Sequence, residues 1–155
     1  GFLTKFNGDT MKLTDKICTD RGLRIHSDGR INLTNAIMLE HADNPQAWLI
    51  NPETNVIEEW HEDNTISQPT ADECDALRTK WTDKFKLSQL RHLRTKLLLE
   101  TDHWAYQDAP TMTQAQIDYR QALRDLPANT TTSDIGFGTD GYGLTLTGVT
   151  WPTKP

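Results

Sequence analysis

A chain of 155 residues is long enough for one or two small domains with a core of their own. Its formal net charge of -6 argues against nucleic acid as a partner, because duplex affinity is built from Lys and Arg neutralising phosphates, and equally against an anionic membrane surface. No apolar run reaches the length of a membrane span.

At the start of the chain no leader pattern is recognised, and Lys5 stands where N-myristoylation of Gly1 would need Ser or Thr. Residues 1–66 read as a β-rich domain. Gly22–His26 and Ile31–Thr34 flank Ser27-Asp28-Gly29-Arg30, and the Asp-Gly pair favours a turn whose twist suits paired strands. Leu23 and Ile25 alternate with polar neighbours, as do Ile31 and Leu33, which gives one apolar face. Residues 36–40 fit a strand or a helical turn equally. A second hairpin is expected from Ala47–Ile50 through Asn51-Pro52-Glu53-Thr54 to Asn55–Trp60, since Asn-Pro opens a turn well. Cys18 and Cys74 lie far apart and read as reduced, partly buried thiols.

Residues 61–69 look like a polar linker ending in Pro69. Thr70 and Glu73 then have the form of a capping box. Cys74, Leu77, Trp81 and Phe85 recur at helical spacing, and Leu90, Leu93, Leu97 and Leu98 form a second apolar set. One long helix is expected from about residue 71 to about residue 102, its buried stripe drifting around the axis. Asp108 and Pro110 interrupt it. Thr113 and Gln116 announce a second cap, Ala115, Tyr119, Ala122, Leu123 and Leu126 share a face, and Pro127 is expected to close this helix. Two helices joined by a short loop predict an antiparallel hairpin over 70–127. Residues 128–155 are rich in Gly and Thr. They suggest a small hairpin with a turn at Asp140-Gly141, an edge strand at Leu144–Thr147, and an extended Trp151-Pro152 end. The class is therefore α+β: a β-rich N-terminal half, an antiparallel helical hairpin, and a Gly/Thr-rich extended tail.

Catalytic signatures are not found. No two of the five histidines pair at i, i+4, and neither a zinc-spaced His/Cys cluster, a nucleophile elbow nor a phosphate-cradling glycine loop occurs. No enzyme, cofactor or metal is expected, and His61-Glu62-Asp63 reads as a solvated turn. Trp48, Trp60 and Tyr142 offer stacking surfaces, which leaves a further reading as a carbohydrate-contacting tip.

Leu97-Leu98-Leu99-Glu100-Thr101-Asp102-His103-Trp104, Asp108-Ala109-Pro110-Thr111-Met112-Thr113, Tyr119–Pro127 and the terminal Trp151-Pro152-Thr153-Lys154-Pro155 together resemble the tail assembly chaperone family of tailed bacteriophages. The pattern is similar to the end of tail-fibre assembly proteins, with wording like that of proteins from cyanobacterial phages. The resemblance covers roughly residues 85–127 and the last five, the ordered set being more specific than any piece. The chain departs from the pattern where His103 separates Asp102 from Trp104, and where a Gly/Thr-rich insert of about twenty residues precedes the Trp-Pro end.

The resemblance implies a helical hairpin that handles another tail protein, either as a transient helper or as a permanent virion subunit such as a fibre, adaptor or baseplate component. Its partners would be other tail or tail-fibre proteins, with self-association open, and its place the host cytoplasm during assembly or the virion tail. Trp104, Tyr119, Arg120 and Arg124 either fold the hairpin or contact the partner. An antiparallel hairpin brings Arg120 or Arg124 towards Asp102 or Asp108, and Trp104 towards Tyr119. Trp151 with Pro152 reads as a docking tail that folds back on its own domain or inserts into a neighbour, the prolines keeping it extended.

Overall fold

The computed structural model describes residues 23–139 and 144–155. Cys18, Gly22, the Asp140-Gly141 turn and Tyr142 lie outside the described residues. The architecture is mixed α+β in two units, Gly1–Phe85 and Lys86–Pro155.

In the first unit the Asp28-Gly29 turn closes as its sequence predicts. Ile25 and Ile31 form an antiparallel bridge, His26 N donates to Arg30 O at 2.8 Å, and Gly29 takes φ +80°, a conformation that costs glycine little. The second arm does not continue as a strand. Leu33–Glu40 is helix α1, with Asn32 at its N-cap, so Leu33 and Thr34 are helical. Leu33, Ala36, Ile37 and Leu39 are buried, a helical spacing that also settles residues 36–40. The first amide of the helix finds an outside acceptor, Leu33 N donating to Asn55 Oδ1 at 2.9 Å.

Strands β1 (Trp48–Asn51) and β2 (Val56–Trp60) pair antiparallel, as expected of the second hairpin. Asn51 makes the turn: its Oδ1 accepts from Glu53 N and Thr54 N, and its carbonyl accepts from Asn55 N at 2.9 Å, with Asn55 at φ 55°. Ile57 and Trp60 are three apart and would fall on opposite faces of a regular strand. Register shifts between Leu49↔Glu59 and Ile50↔Ile57, leaving Glu58 as the extra residue of a bulge. The bulge turns both apolar side chains inward. Leu33, Ile37, Ile50 and Cys74 form the buried cluster, with Trp48, Ile57, Trp60 and Leu77 packed against it. Burial pushes the Cys74 thiol up from its usual range, and the neighbouring Glu73 charge adds to this.

Helix α2 spans Ala71–Leu99. Its capping box is formed: Thr70 N donates to Glu73 Oε2 at 2.8 Å and Glu73 N to Thr70 Oγ1 at 3.2 Å. In its first-unit part, two polar residues, Arg78 and Thr82, are buried alongside Cys74, Trp81 and Phe85. Arg78 grips the Asp28 carboxylate with both terminal nitrogens, at 2.8 and 2.9 Å, and donates from Nε to Ile31 O at 2.9 Å. Thr82 Oγ1 accepts from Ile31 N at 3.0 Å and donates to Arg78 O. The helix thereby fastens the Asp28-Gly29 turn. Partial burial works to raise the Asp28 carboxyl, but the hydrogen bonds from Arg78 and from the Arg30 backbone and side chain outweigh it and hold the group well below the usual carboxylate range.

The second unit begins at Lys86 within α2. The helix ends at Leu99 rather than near Asp102, and Asp102–Ala105 forms a short 3₁₀ turn. Helix α3 (Gln114–Asn129) carries the expected capping box, Thr113 N donating to Gln116 Oε1 at 2.9 Å and Gln116 N to Thr113 Oγ1 at 3.2 Å. Pro127 does not close α3; two more residues remain helical. Proline removes one donor, a small loss in a last turn, and Thr130 Oγ1 donates to Leu126 O at 2.7 Å. The buried stripe is Tyr119, Arg120, Leu123 and Leu126, while Ala115 and Ala122 are exposed, so the inward face is rotated from the one predicted. Arg120 meets Leu98, Leu126 clusters with Leu90, and Lys86 Nζ donates to Thr132 O at 3.2 Å. One index rises as the other falls, which is the order of antiparallel packing.

Strands β3 (Gly136–Thr139) and β4 (Leu144–Thr147) form a second two-stranded antiparallel sheet. Gly148 then turns the chain at φ +76°, where any Cβ would overlap the Asp134 carbonyl. Leu90, Leu126 and Ile135 make the core here, with Leu146, Val149 and Trp151 packed on it.

Candidate partner-binding site

The closed end of the helical hairpin is held by one side chain. Helix α2 leaves its last carbonyls without intrahelical donors, and Arg120 reaches across to them from α3. Its Nη1 donates to Leu98 O at 3.0 Å and to Thr101 Oγ1 at 2.7 Å, and its Nη2 to Asp102 Oδ1 at 2.9 Å. Thr101 is fully buried and Arg120 nearly so, whereas the Asp102 side chain is 42% exposed. A planar guanidinium suits this fork of a carbonyl, a hydroxyl and a carboxylate; an ammonium would satisfy fewer of them.

Trp104 is half-buried with its ring centroid 6.2 Å from that of buried Tyr119, and His103 lies edge-on to Trp104 at 6.1 Å. Burial raises the Tyr119 phenol above its ordinary value, helped by the Glu100 charge. The C-terminal segment joins this end: Lys154 Nζ sits 5.8 Å over the Trp104 ring and 4.0 Å from Glu100. Trp151 and Pro152 are half-buried, and Trp151 folds back on the Leu90, Leu126 and Ile135 core.

Of the residues singled out in the sequence, Trp104, Tyr119, Arg120 and the C-terminal segment are brought together, and Arg120 rather than Arg124 takes Asp102. Arg124 is exposed, as is Asp108. Sequence reasoning missed the buried Thr101 and three exposed apolar side chains around the same loop. Leu99 ends α2 and is 63% exposed, Tyr106 follows the 3₁₀ turn at 65%, and Ile117 lies in the first turns of α3 at 43%. Their signal was present: three leucines in a row cannot all face one side of a helix, and Ile117 falls off the Tyr119, Leu123 and Leu126 stripe.

Among the described residues no cluster of His, Cys, Asp or Glu is placed to hold a metal ion, and no helix is long and apolar enough to cross a membrane. No curated protein and no solved structure matches the chain. A family model, phage tail assembly chaperone protein, matches residues 87–155. That span coincides with the second unit, including the Gly/Thr-rich ribbon. Over residues 87–155, from the last turns of α2 through α3, the ribbon and the Trp-Pro end, the chain is thus similar to the phage tail assembly chaperone protein family.

Proposed function

We propose that the chain is a non-catalytic binder that holds another tail or tail-fibre polypeptide in the host cytoplasm while a phage tail assembles. The family supports a role in tail assembly. The carrying observation is the hairpin end, where Leu99, Tyr106 and Ile117 stand exposed on a scaffold locked by buried Arg120. Large apolar side chains on a rigid element suit capture of an apolar surface that must be shielded before docking. Trp104, Arg124, Trp151 and Pro152 are the partner-contacting residues in this reading, and Tyr119 and Arg120 support the surface from beneath.

A second reading is a permanent virion subunit, a fibre, adaptor or baseplate component, receptor contact included. What favours it is the β3–β4 ribbon, which pairs with no third strand among the described residues and so presents open edges to a neighbour. Mass spectrometry of purified virions separates the two. The assembly reading expects the chain to be absent or far below stoichiometric; a stoichiometric amount overturns it in favour of the subunit.

A further inference from the structure

The first unit, outside the family match, carries a recognition feature of its own. At the open end of the β1–β2 hairpin, Trp48 lies directly opposite Trp60. Their rings are stacked, with centroids 6.3 Å apart and planes 19° from parallel. Both indoles are half-buried, and Trp60 is fixed by its Nε1–H donating to Ile66 O at 3.0 Å. Beside them runs a groove of about 510 Å³ whose lining includes Trp48, Leu49, Glu59, Trp60, His61 and Glu62. Leu49 is 50% exposed there. Glu59 and Glu62 are exposed, and neither has an ion-pair partner among the described residues. The surrounding sequence is one-sided: from Ile31 to Leu77 it has ten Asp and Glu and no Lys or Arg.

We propose that this groove binds the guanidinium or ammonium group of a basic segment on a partner polypeptide. An indole attracts a cation through its ring quadrupole, and the attraction grows where aromatic walls exclude water. Glu59 and Glu62 add charge-assisted hydrogen bonds, for which a guanidinium has the matching fork. Leu49 supplies apolar surface for the aliphatic stem. The Glu59 and Glu62 carboxylates, without ion-pair partners among the described residues, draw a basic segment in and repel an acidic one. A neutral sugar stacks on indoles too, but gains nothing from that field, so charge selects the cationic occupant.

The test uses the full chain labelled with ¹⁵N, whose indole N–H signals are assigned by single Trp→Phe substitutions. A blocked tri-arginine peptide is expected to shift the Trp48 and Trp60 signals saturably and to leave Trp104 and Trp151 unmoved. A blocked tri-citrulline peptide, similar in shape but uncharged, is expected to shift neither. The Glu59→Gln/Glu62→Gln double variant removes exposed charge without touching the core, and should weaken tri-arginine binding about fivefold, the combined effect of two exposed ion pairs. The proposal is overturned if tri-arginine produces no saturable shift at millimolar concentration, if citrulline works as well, or if the double variant binds like the parent. A maltooligosaccharide that moves the two signals where tri-arginine does not would assign the groove to carbohydrate instead.

Discussion

Replacing Arg120 with Met removes the clasp of the second unit and keeps most of the side-chain volume. Two of the lost bonds end on the part-buried Leu98 O, at 3.0 Å, and on the buried Thr101 Oγ1, at 2.7 Å. Hydrogen bonds from a charged donor contribute about 1.5–3 kcal/mol each. Three effects reduce that sum: Met avoids the cost of desolvating a guanidinium, the Thr101 hydroxyl keeps its own bond to Leu98 O at 3.1 Å, and the Asp102 carboxylate is 42% exposed, so its pairing is screened. Its share is therefore about 0–1 kcal/mol. The net expectation for Arg120→Met is a loss of about 2–3 kcal/mol, and for Asp102→Asn less than about 1 kcal/mol. Hydrogen exchange by mass spectrometry reads this locally. Protected amides of α3 should exchange about 30- to 150-fold faster in Arg120→Met. An increase below about threefold, or an equal effect of Asp102→Asn, would refute the view that the buried bonds rather than the ion pair hold the hairpin end.

Acid should weaken the first unit through Asp28. Its folded-state carboxyl is depressed, so the stabilisation is present above the unfolded-state value of about 4 and is lost as pH falls below it. Thermal melts at pH 6 and pH 2, values chosen to bracket that range, should show a larger loss in the parent than in Asp28→Asn; equal losses would exclude this carboxylate as the cause. Trp151→Ala should cost about 1–2 kcal/mol, less than a fully buried Trp, because the ring is half-buried on the Leu90 cluster. Urea unfolding followed by circular dichroism checks it, and a chain already unfolded in buffer would show that Trp151 is a principal core residue rather than a tail residue.

Much of the helical half was legible because its signals are local. A Thr followed three residues later by Glu or Gln marked both helix starts, and hairpin spacing pointed to Arg120 or Arg124 meeting Asp102 or Asp108, of which the Arg120–Asp102 pair forms. What was not legible depends on contacts distant in sequence. Ile31–Leu33 alternates like a strand, but Leu33 and Ile37 bury together against Ile50 of β1 and Cys74 of α2, and tertiary packing turned the arm into α1. The spacing of Ile57 and Trp60 hid a bulge that only pairing with β1 reveals. Arg78 and Thr82 look like solvent-facing positions of a charged helix, and their burial follows from Asp28 and Ile31, some fifty residues away. The exposed Leu99, Tyr106 and Ile117 escaped notice for the opposite reason: apolar residues are read as core by default, although Ile117 lies off both the predicted and the observed buried stripe of α3.

The most direct test co-expresses the full chain with each tail and tail-fibre protein of its phage and weighs the products by native mass spectrometry. A defined complex with one of them is expected, and it should be lost when Leu99, Tyr106 and Ile117 are all replaced by Ser, with the circular dichroism of the free chain unchanged. No complex with any tail protein, or a complex indifferent to those three substitutions, would contradict the account.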